Sequence, residues 1–132
     1  MSKTKQLIIL GLYLTVTLAA QSSQNIKNLS AAEFKKAIDS GKYLLIDVRT
    51  PNEFAQGYIR GALNINLQDA DFVTKIKALT TKNKALAVYC RSGRRSKAAL
   101  SAIATQNVQF IELNDGVIGW QQAGYKLTTF GK

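Results

Sequence analysis

Short apolar runs alternate with amphipathic stretches along most of the chain, and this alternation predicts strands separated by helices. Four runs are rich in β-branched and other apolar residues and are typical of strands: 43–48, 63–67, 85–90 and 108–113. The run 43–48 is almost uniformly apolar, which is the pattern of a strand buried on both faces of a parallel sheet. Asp47 is the one charged residue within it, and a buried carboxylate needs partners.

Helices are predicted between these strands. Ser30 and Glu33 form a capping box that opens a helix ending at Gly41. Pro51 suits the first turn of a short helix over 52–56. Three further helices are predicted, over 69–79, from 95 or 96 to about 106, and over 117–123. Because strands alternate with helices, we expect an α/β domain with right-handed crossovers and a central parallel sheet with helices on both faces.

The first twenty residues have the pattern of a secretory signal. Lys3 and Lys5 precede an apolar core over 7–18, and small residues follow near position 20. The core is shorter than the roughly 20 residues of a membrane-spanning helix. The sequence therefore predicts a signal peptide over 1–20, a flexible leader over 21–27 and a single domain over 28–132. The product would be exported to the periplasm or secreted, without membrane attachment after cleavage, and the alternative is an uncleaved N-terminal anchor.

Composition narrows the chemistry that this chain can perform. The chain has 132 residues, 46% of them hydrophobic and 20% charged, which is an ordinary balance for one globular domain. It contains no histidine and one cysteine, so a histidine base, a cysteine-cluster metal site and CxxC redox chemistry are excluded. We expect no cofactor and no bound metal.

The chain is strongly basic, and the charge needs an explanation. Its net charge is +10, and cleavage after the signal would remove Lys3 and Lys5 and leave +8. The lysines are scattered, and no aromatic residues interleave with basic ones as in nucleic-acid sites. We therefore expect a solvated surface that attracts small anions, with no nucleic-acid partner.

The single cysteine lies in a cationic turn between a predicted strand and a predicted helix. Cys90 stands where the strand ends, and Arg91, Arg94 and Arg95 follow within five residues. Helix N-termini and neighbouring arginines favour the reactive thiolate, and successive backbone N–H groups in a turn form a concave anion site. Gly93 permits a backbone conformation that other residues resist. The pattern predicts a thiolate that holds an anion, and the alternative is an inert buried cysteine before a solvated basic turn.

Four segments in this order resemble the rhodanese (thiosulfate sulfurtransferase) family over about residues 28–130. They are 46–54, 57–65, 90–95 and 115–125, and 90–95 matches the six-residue active-site loop of the family. The resemblance implies the rhodanese-like three-layer fold and a single-domain exported enzyme. It also implies that Cys90 is the catalytic nucleophile. The remaining loop residues would bind the substrate: Arg91, Ser92, Gly93, Arg94 and Arg95.

The resemblance assigns supporting roles as well. It implies that the Asp47 end of its strand lies beside the catalytic loop, and we expect Arg49 to pair locally with Glu53. The alternative for both is simple solvation at a strand end. Trp120 is interpreted as a core residue rather than a platform for substrate.

Three positions depart from the family pattern. Tyr58 stands where a histidine is usual, Asn66 where a proline is common, and Asp115 where the first glycine of a pair is frequent. None of them lies in the Cys90 loop, so they bear on loop conformation rather than on thiol chemistry.

The resemblance implies a sulfurtransferase that works as a monomer. Cys90 would take sulfane sulfur from thiosulfate or from a persulfide, carry it as a cysteine persulfide, and pass it to cyanide or a thiol acceptor. One alternative is a non-enzymatic module that binds an anion or a partner protein. Another is a cysteine-dependent phosphatase, but Ser96 stands where tyrosine-type phosphatases carry an arginine.

Overall fold

Parallel strands form one sheet in the protein. The computed structural model describes residues 26–80, 84–103 and 109–131, so the predicted signal peptide and residues 21–25 lie outside the described residues. Within the described part of the chain there are five strands: β1 Ile26–Leu29, β2 Tyr43–Asp47, β3 Leu63–Asn64, β4 Ala85–Tyr89 and β5 Phe110–Leu113. They lie in the sheet in the order β1-β5-β4-β2-β3, and all neighbours pair in parallel.

Four helices connect successive strands of the described part of the chain, and a fifth follows β5. They are α1 Ala31–Asp39, α2 Pro51–Gln56, α3 Phe72–Thr80, α4 Arg94–Ile103 and α5 Gly116–Gln122. The predicted capping box of Ser30 and Glu33 is present at the start of α1. A second capping box, of Thr50 and Glu53, opens α2, where Pro51 takes the first helical position.

The sheet is covered on both faces, which confirms the predicted α/β architecture. Successive residues of a strand point to opposite faces, so Val88 of β4 packs with α3 and α4, while Ala87 packs with α1 and α5. Phe34 of α1 and Ile76 of α3 are both fully buried against the sheet. Two apolar layers therefore hold the central strand β4 rigidly in place.

The leader predicted over 21–27 is wrong at its last two residues. Ile26 and Lys27 belong to β1, and they pair in parallel with Phe110 and Ile111 of β5. β1 lies at the edge of the sheet, and two of its four residues are exposed. Such a strand is held by backbone hydrogen bonds on one side, so its composition carries little of the apolar signal of a central strand.

Two other boundaries differ from the predictions. The strand predicted over 63–67 is shorter in the structure, where Leu63–Asn64 pair in register with β2. Beyond this strand, the Ile65 and Leu67 amides still donate to the Asp47 and Val48 carbonyls, at 2.9 and 3.1 Å. The helix predicted from 69 begins at Phe72, because the Asn66 side chain accepts a hydrogen bond from the Gln68 amide at 3.1 Å and forms a turn first. The predicted end of the fourth helix near 106 lies outside the described residues.

Candidate active site

The single cysteine lies at the carboxyl edge of the sheet. Cys90 follows the last residue of β4, and α4 begins four residues later at Arg94. β4 is the middle strand of the sheet, so the loop 90–95 is flanked by the ends of β2 and β5. This edge is where open α/β sheets bind ligands.

The loop folds back over the Cys90 sulfur and aims backbone N–H groups at it. The Gly93 amide donates to Sγ at 3.1 Å and the Ser96 amide donates at 3.3 Å. The Cys90 side chain is buried. Two N–H dipoles at the start of a helix can stabilise negative charge on the sulfur and on a group attached to it.

Only glycine fits at the third position after the cysteine. Gly93 has φ of +96°, and a Cβ placed there would lie 2.0 Å from the carbonyl oxygen of Asn114. Asn114 follows the last residue of β5, so the loop packs directly against the turn between β5 and α5. The glycine predicted to permit the turn is therefore also required by close packing.

The first turn of α5 fastens the loop from the other side. The Val117 amide donates to the Cys90 carbonyl at 2.9 Å, and the Ile118 amide donates to the Arg91 carbonyl at 3.0 Å. A Cβ at Gly116 would lie 2.4 Å from the Arg91 carbonyl oxygen, so this contact also depends on glycine. α5 thus holds the backbone of Cys90 and Arg91 in position.

The three arginines of the loop have different surroundings. Arg95 makes a bidentate ion pair with Glu53 of α2, at 2.6 and 2.7 Å. Hydrogen bonds from Arg95 lower the pKa of Glu53 to about 2. Arg91 and Arg94 are exposed, and neither forms an ion pair within the described ranges. Ser92 is exposed beside them.

The pairing predicted for Arg49 is wrong, because Arg49 pairs with Asp47. Its Nε lies 2.9 Å from both carboxylate oxygens, and its Nη2 lies 2.6 Å from Oδ2 and 2.7 Å from the Gly57 carbonyl. Both side chains are buried, so neither is a solvated strand end. Asp47 pairs in register with Tyr89, which places it beside the catalytic loop as the resemblance implies.

The side chains of Ser96, Lys97 and Glu112 also surround the thiol, and the sequence pattern did not predict this. The Ser96 hydroxyl lies 3.5 Å from Sγ and 3.3 Å from Oε1 of Glu112. Glu112 is fully buried on β5, and Lys97 Nζ lies 3.0 Å from its Oε1. An acidic residue inside an apolar strand is the signal that marks Asp47, and the same signal marks Glu112.

A cavity of about 540 Å³ lies beside the loop, between α2 and α5. Arg91 borders it, and Val117, Ile118 and Leu127 give it an apolar side. The remaining lining residues are Arg49, Glu53, Gln56, Gly57 and Gln121. The cavity therefore combines cationic and apolar surface next to the residue that follows the thiol.

The departures from the family pattern are accommodated locally. Tyr58 stacks on Phe54 with ring centroids 4.2 Å apart. Asp115 has φ of −104°, a conformation that requires no glycine, and the left-handed position is Gly116. Trp120 is buried and contacts Phe34 edge-on, which confirms its interpretation as a core residue.

Two features are absent from the described residues. No group of three or more His, Cys, Asp or Glu residues in that part of the chain could hold a metal ion. None of the described helices is long and apolar enough to cross a membrane.

Comparisons with known proteins identify the family of this chain. Residues 30–123 match the family model described as Rhodanese-like domain. A protein named sulfurtransferase from Allochromatium vinosum is 32% identical over 91 residues, which cover 68% of this chain and 82% of the relative. The thiosulfate sulfurtransferase PspE of Escherichia coli is 32% identical over 72 residues, or 54% of this chain and 68% of that protein.

Solved structures show the same architecture. The crystal structure of a rhodanese-related protein from Thermoplasma volcanium superposes with a TM-score of 0.62 at 25% identity, covering 77% of this chain and 97% of that one. The family match covers the loop 90–95, the strands β2 and β5 whose ends flank it, and α5. This chain therefore belongs to the family of rhodanese-like domains, and sulfurtransferases are among its relatives.

Proposed function

We propose that this protein is a thiosulfate sulfurtransferase that carries sulfane sulfur as a persulfide on Cys90. Sulfurtransferase activity in general is supported by the family match and by the names of the relatives. The observation that carries the finer proposal is the pair of amides, from Gly93 and Ser96, that donate to the Cys90 sulfur. They stabilise an anionic sulfur at the one thiol of the chain.

The reaction consists of two displacements at sulfur. In the first, the Cys90 thiolate attacks the outer sulfur of thiosulfate, a new S–S bond forms, and the old S–S bond breaks as sulfite leaves with the bonding electrons. In the second, a thiolate acceptor or cyanide attacks the outer sulfur of the persulfide and releases the Cys90 thiolate. The products are an acceptor persulfide or thiocyanate, and no external oxidant or reductant is consumed.

The three arginines have different roles towards the dianionic donor. Arg91 and Arg94 are exposed and free of ion pairs in the described part of the chain, so they attract the donor. Arg95 is engaged by Glu53, so it shapes the loop and contributes a partly compensated charge. Ser92 and the Gly93 backbone complete the donor-binding loop. The cavity beside Arg91 is larger than thiosulfate and gives an organic thiol acceptor room to approach.

The nucleophile is tested by mass spectrometry of the purified protein after treatment with thiosulfate. We expect one added sulfur atom on Cys90 and none in Cys90→Ser, whose hydroxyl is nearly isosteric with the thiol but is not ionised near neutral pH. The variant should also lose thiosulfate:cyanide turnover by at least about three orders of magnitude.

Lys77→Ala is the control for general effects of substitution, because Lys77 is exposed on α3. It should load sulfur like the wild type. Substantial turnover in Cys90→Ser would refute the assignment, since the chain has no second thiol. Efficient hydrolysis of aryl phosphates without sulfur loading would favour the phosphatase, and absence of both reactions would favour a binding module.

A further inference from the structure

The carboxylate of Glu112 is buried behind the catalytic loop and is incompletely paired. Its exposed fraction is 0%, and Oε2 has no hydrogen-bond partner among the described residues. Burial of a carboxylate is strongly unfavourable unless an opposite charge lies close by. Lys97 supplies that charge, with Nζ at 3.0 Å from Oε1.

A single hydroxyl separates this carboxylate from the thiol. Ser96 Oγ lies 3.3 Å from Oε1 of Glu112 and 3.5 Å from Sγ of Cys90. Two negative charges this close in the protein interior repel, so an uncompensated Glu112 would oppose ionisation of Cys90. The same holds for a persulfide anion on that sulfur.

The Lys97 ammonium is held where it can cancel this repulsion. Besides Glu112 it contacts the carbonyl oxygens of Asn114 at 3.0 Å and Gly93 at 3.4 Å. Gly93 is also the residue whose amide donates to Sγ. Lys97 therefore anchors the loop and neutralises the carboxylate behind it.

We propose, on the basis of the thiolate chemistry proposed above, that Lys97 is a positioning residue for Cys90 and acts by neutralising Glu112. The net charge of this pair then sets the thiolate fraction. Two other pairs of charged groups lie around the loop: Arg95 of α4 with Glu53 of α2, and Asp47 with Arg49 at the end of β2. Arg91, Arg94 and Asp115 are exposed and form no ion pair within the described residues, and all three are unchanged in the variants compared below.

The test is the rate of Cys90 alkylation by iodoacetamide as a function of pH, in the full-length protein and three variants. Iodoacetamide is uncharged and requires no sulfur donor, so this readout is separate from the test of sulfur loading. We expect Lys97→Met, which leaves a net negative pair, to react about tenfold more slowly near neutral pH and to shift the pH midpoint upward. Glu112→Gln leaves a net positive pair, so it should react faster than the wild type with a lower midpoint.

The double variant Lys97→Met/Glu112→Gln is neutral like the wild type and should return to within about twofold of its rate. Lys77→Met, at an exposed position on α3, should leave both rate and midpoint unchanged. Thermal melting identifies any variant that does not fold.

If these residues served folding alone, the alkylation rates of all three variants would differ from the wild type. The pH midpoints would then not follow the charge of the pair, upward in Lys97→Met and downward in Glu112→Gln. The proposal is overturned if Glu112→Gln is no faster than the wild type, or if the double variant is as slow as Lys97→Met. If Lys97→Met does not fold, the wild type is the reference: the proposal is overturned if Glu112→Gln is no faster than the wild type, or if the double variant reacts more than about twofold more slowly than the wild type.

Discussion

At the scale of single residues, the three arginines of the loop that follows Cys90 differ in their partners. Arg95 is committed to Glu53, whereas Arg94 is exposed and makes no ion pair within the described residues. In the sequence, the three arginines within these five residues look equivalent. Arg91 and Arg94 are therefore the residues that we propose for attracting the donor.

Arg94→Ala should therefore raise the KM for thiosulfate by about one decade, because it removes a charge that attracts the dianion. The kcat should change less, since the Gly93 and Ser96 amides that support the anionic sulfur remain. Steady-state kinetics with varied thiosulfate would measure both constants. Lys77→Ala is the matched control, and an unchanged KM in Arg94→Ala would show that this part of the turn is only solvated.

At the scale of elements, the ion pair between Glu53 and Arg95 joins α2 to the loop. Both side chains are about 29% exposed, so solvent only partly screens the pair. Glu53 also caps the start of α2 through Thr50. The pair therefore links the stability of α2 to the geometry of the active-site loop.

This pair predicts a pH-dependent contribution to stability. The pKa of Glu53 is lowered to about 2 in the folded protein, chiefly by hydrogen bonds from Arg95, against an ordinary value of 4.5. A lowered folded pKa means that the contribution is complete above about pH 4.5 and is lost as the pH falls towards 2. Glu53→Gln keeps a side chain that can complete the capping box. It should lower the free energy of unfolding by about 2 kcal/mol at pH 6.

Urea unfolding at several pH values would measure this difference, which should shrink progressively below pH 4.5. Asp39→Asn is the control, because Asp39 belongs to an exposed pair with Lys35 and should contribute little at any pH. A loss in Glu53→Gln that is the same at pH 6 and pH 2 would contradict the linkage.

The sequence predicted the fold where apolar signals were strong and missed features that depend on tertiary contacts. The uniformly apolar β2 and β4 were recognisable, and Cys90 could be placed at a strand end from local pattern alone. β1 was missed because an edge strand is held by backbone pairing with β5. The ion pair between Lys97 and Glu112 was missed because the two residues are 15 positions apart in sequence and only the fold brings them together.

At the scale of the whole molecule, the sequence pattern of the first twenty residues raises the question of where the protein acts. We propose that residues 1–20 direct export and are then removed. The chain has one cysteine, so no internal disulfide can protect it in an oxidising compartment. Storage as a persulfide or a mixed disulfide is the expected state there.

N-terminal sequencing of material from the native host should find a mature chain beginning near residue 21, in an extracytoplasmic fraction. Leu10→Asp breaks the apolar core of the predicted signal and should leave an uncleaved protein in the cytosol. Ser22→Ala, just beyond the predicted cleavage site, should be exported normally. An intact N-terminus in a cytosolic fraction of the wild type would refute this proposal.

The contact between α5 and the loop also bears on how such loops can change in length. Asp115 provides no side-chain cap for α5, and the carbonyls of Cys90 and Arg91 accept hydrogen bonds from its first turn instead. The catalytic loop thus serves as part of the helix cap. An insertion within the loop would displace Gly93 from its close contact with Asn114 and strain the anchoring at α5. An evolutionary change from a six-residue to a seven-residue loop would therefore require compensating changes in the turn between β5 and α5.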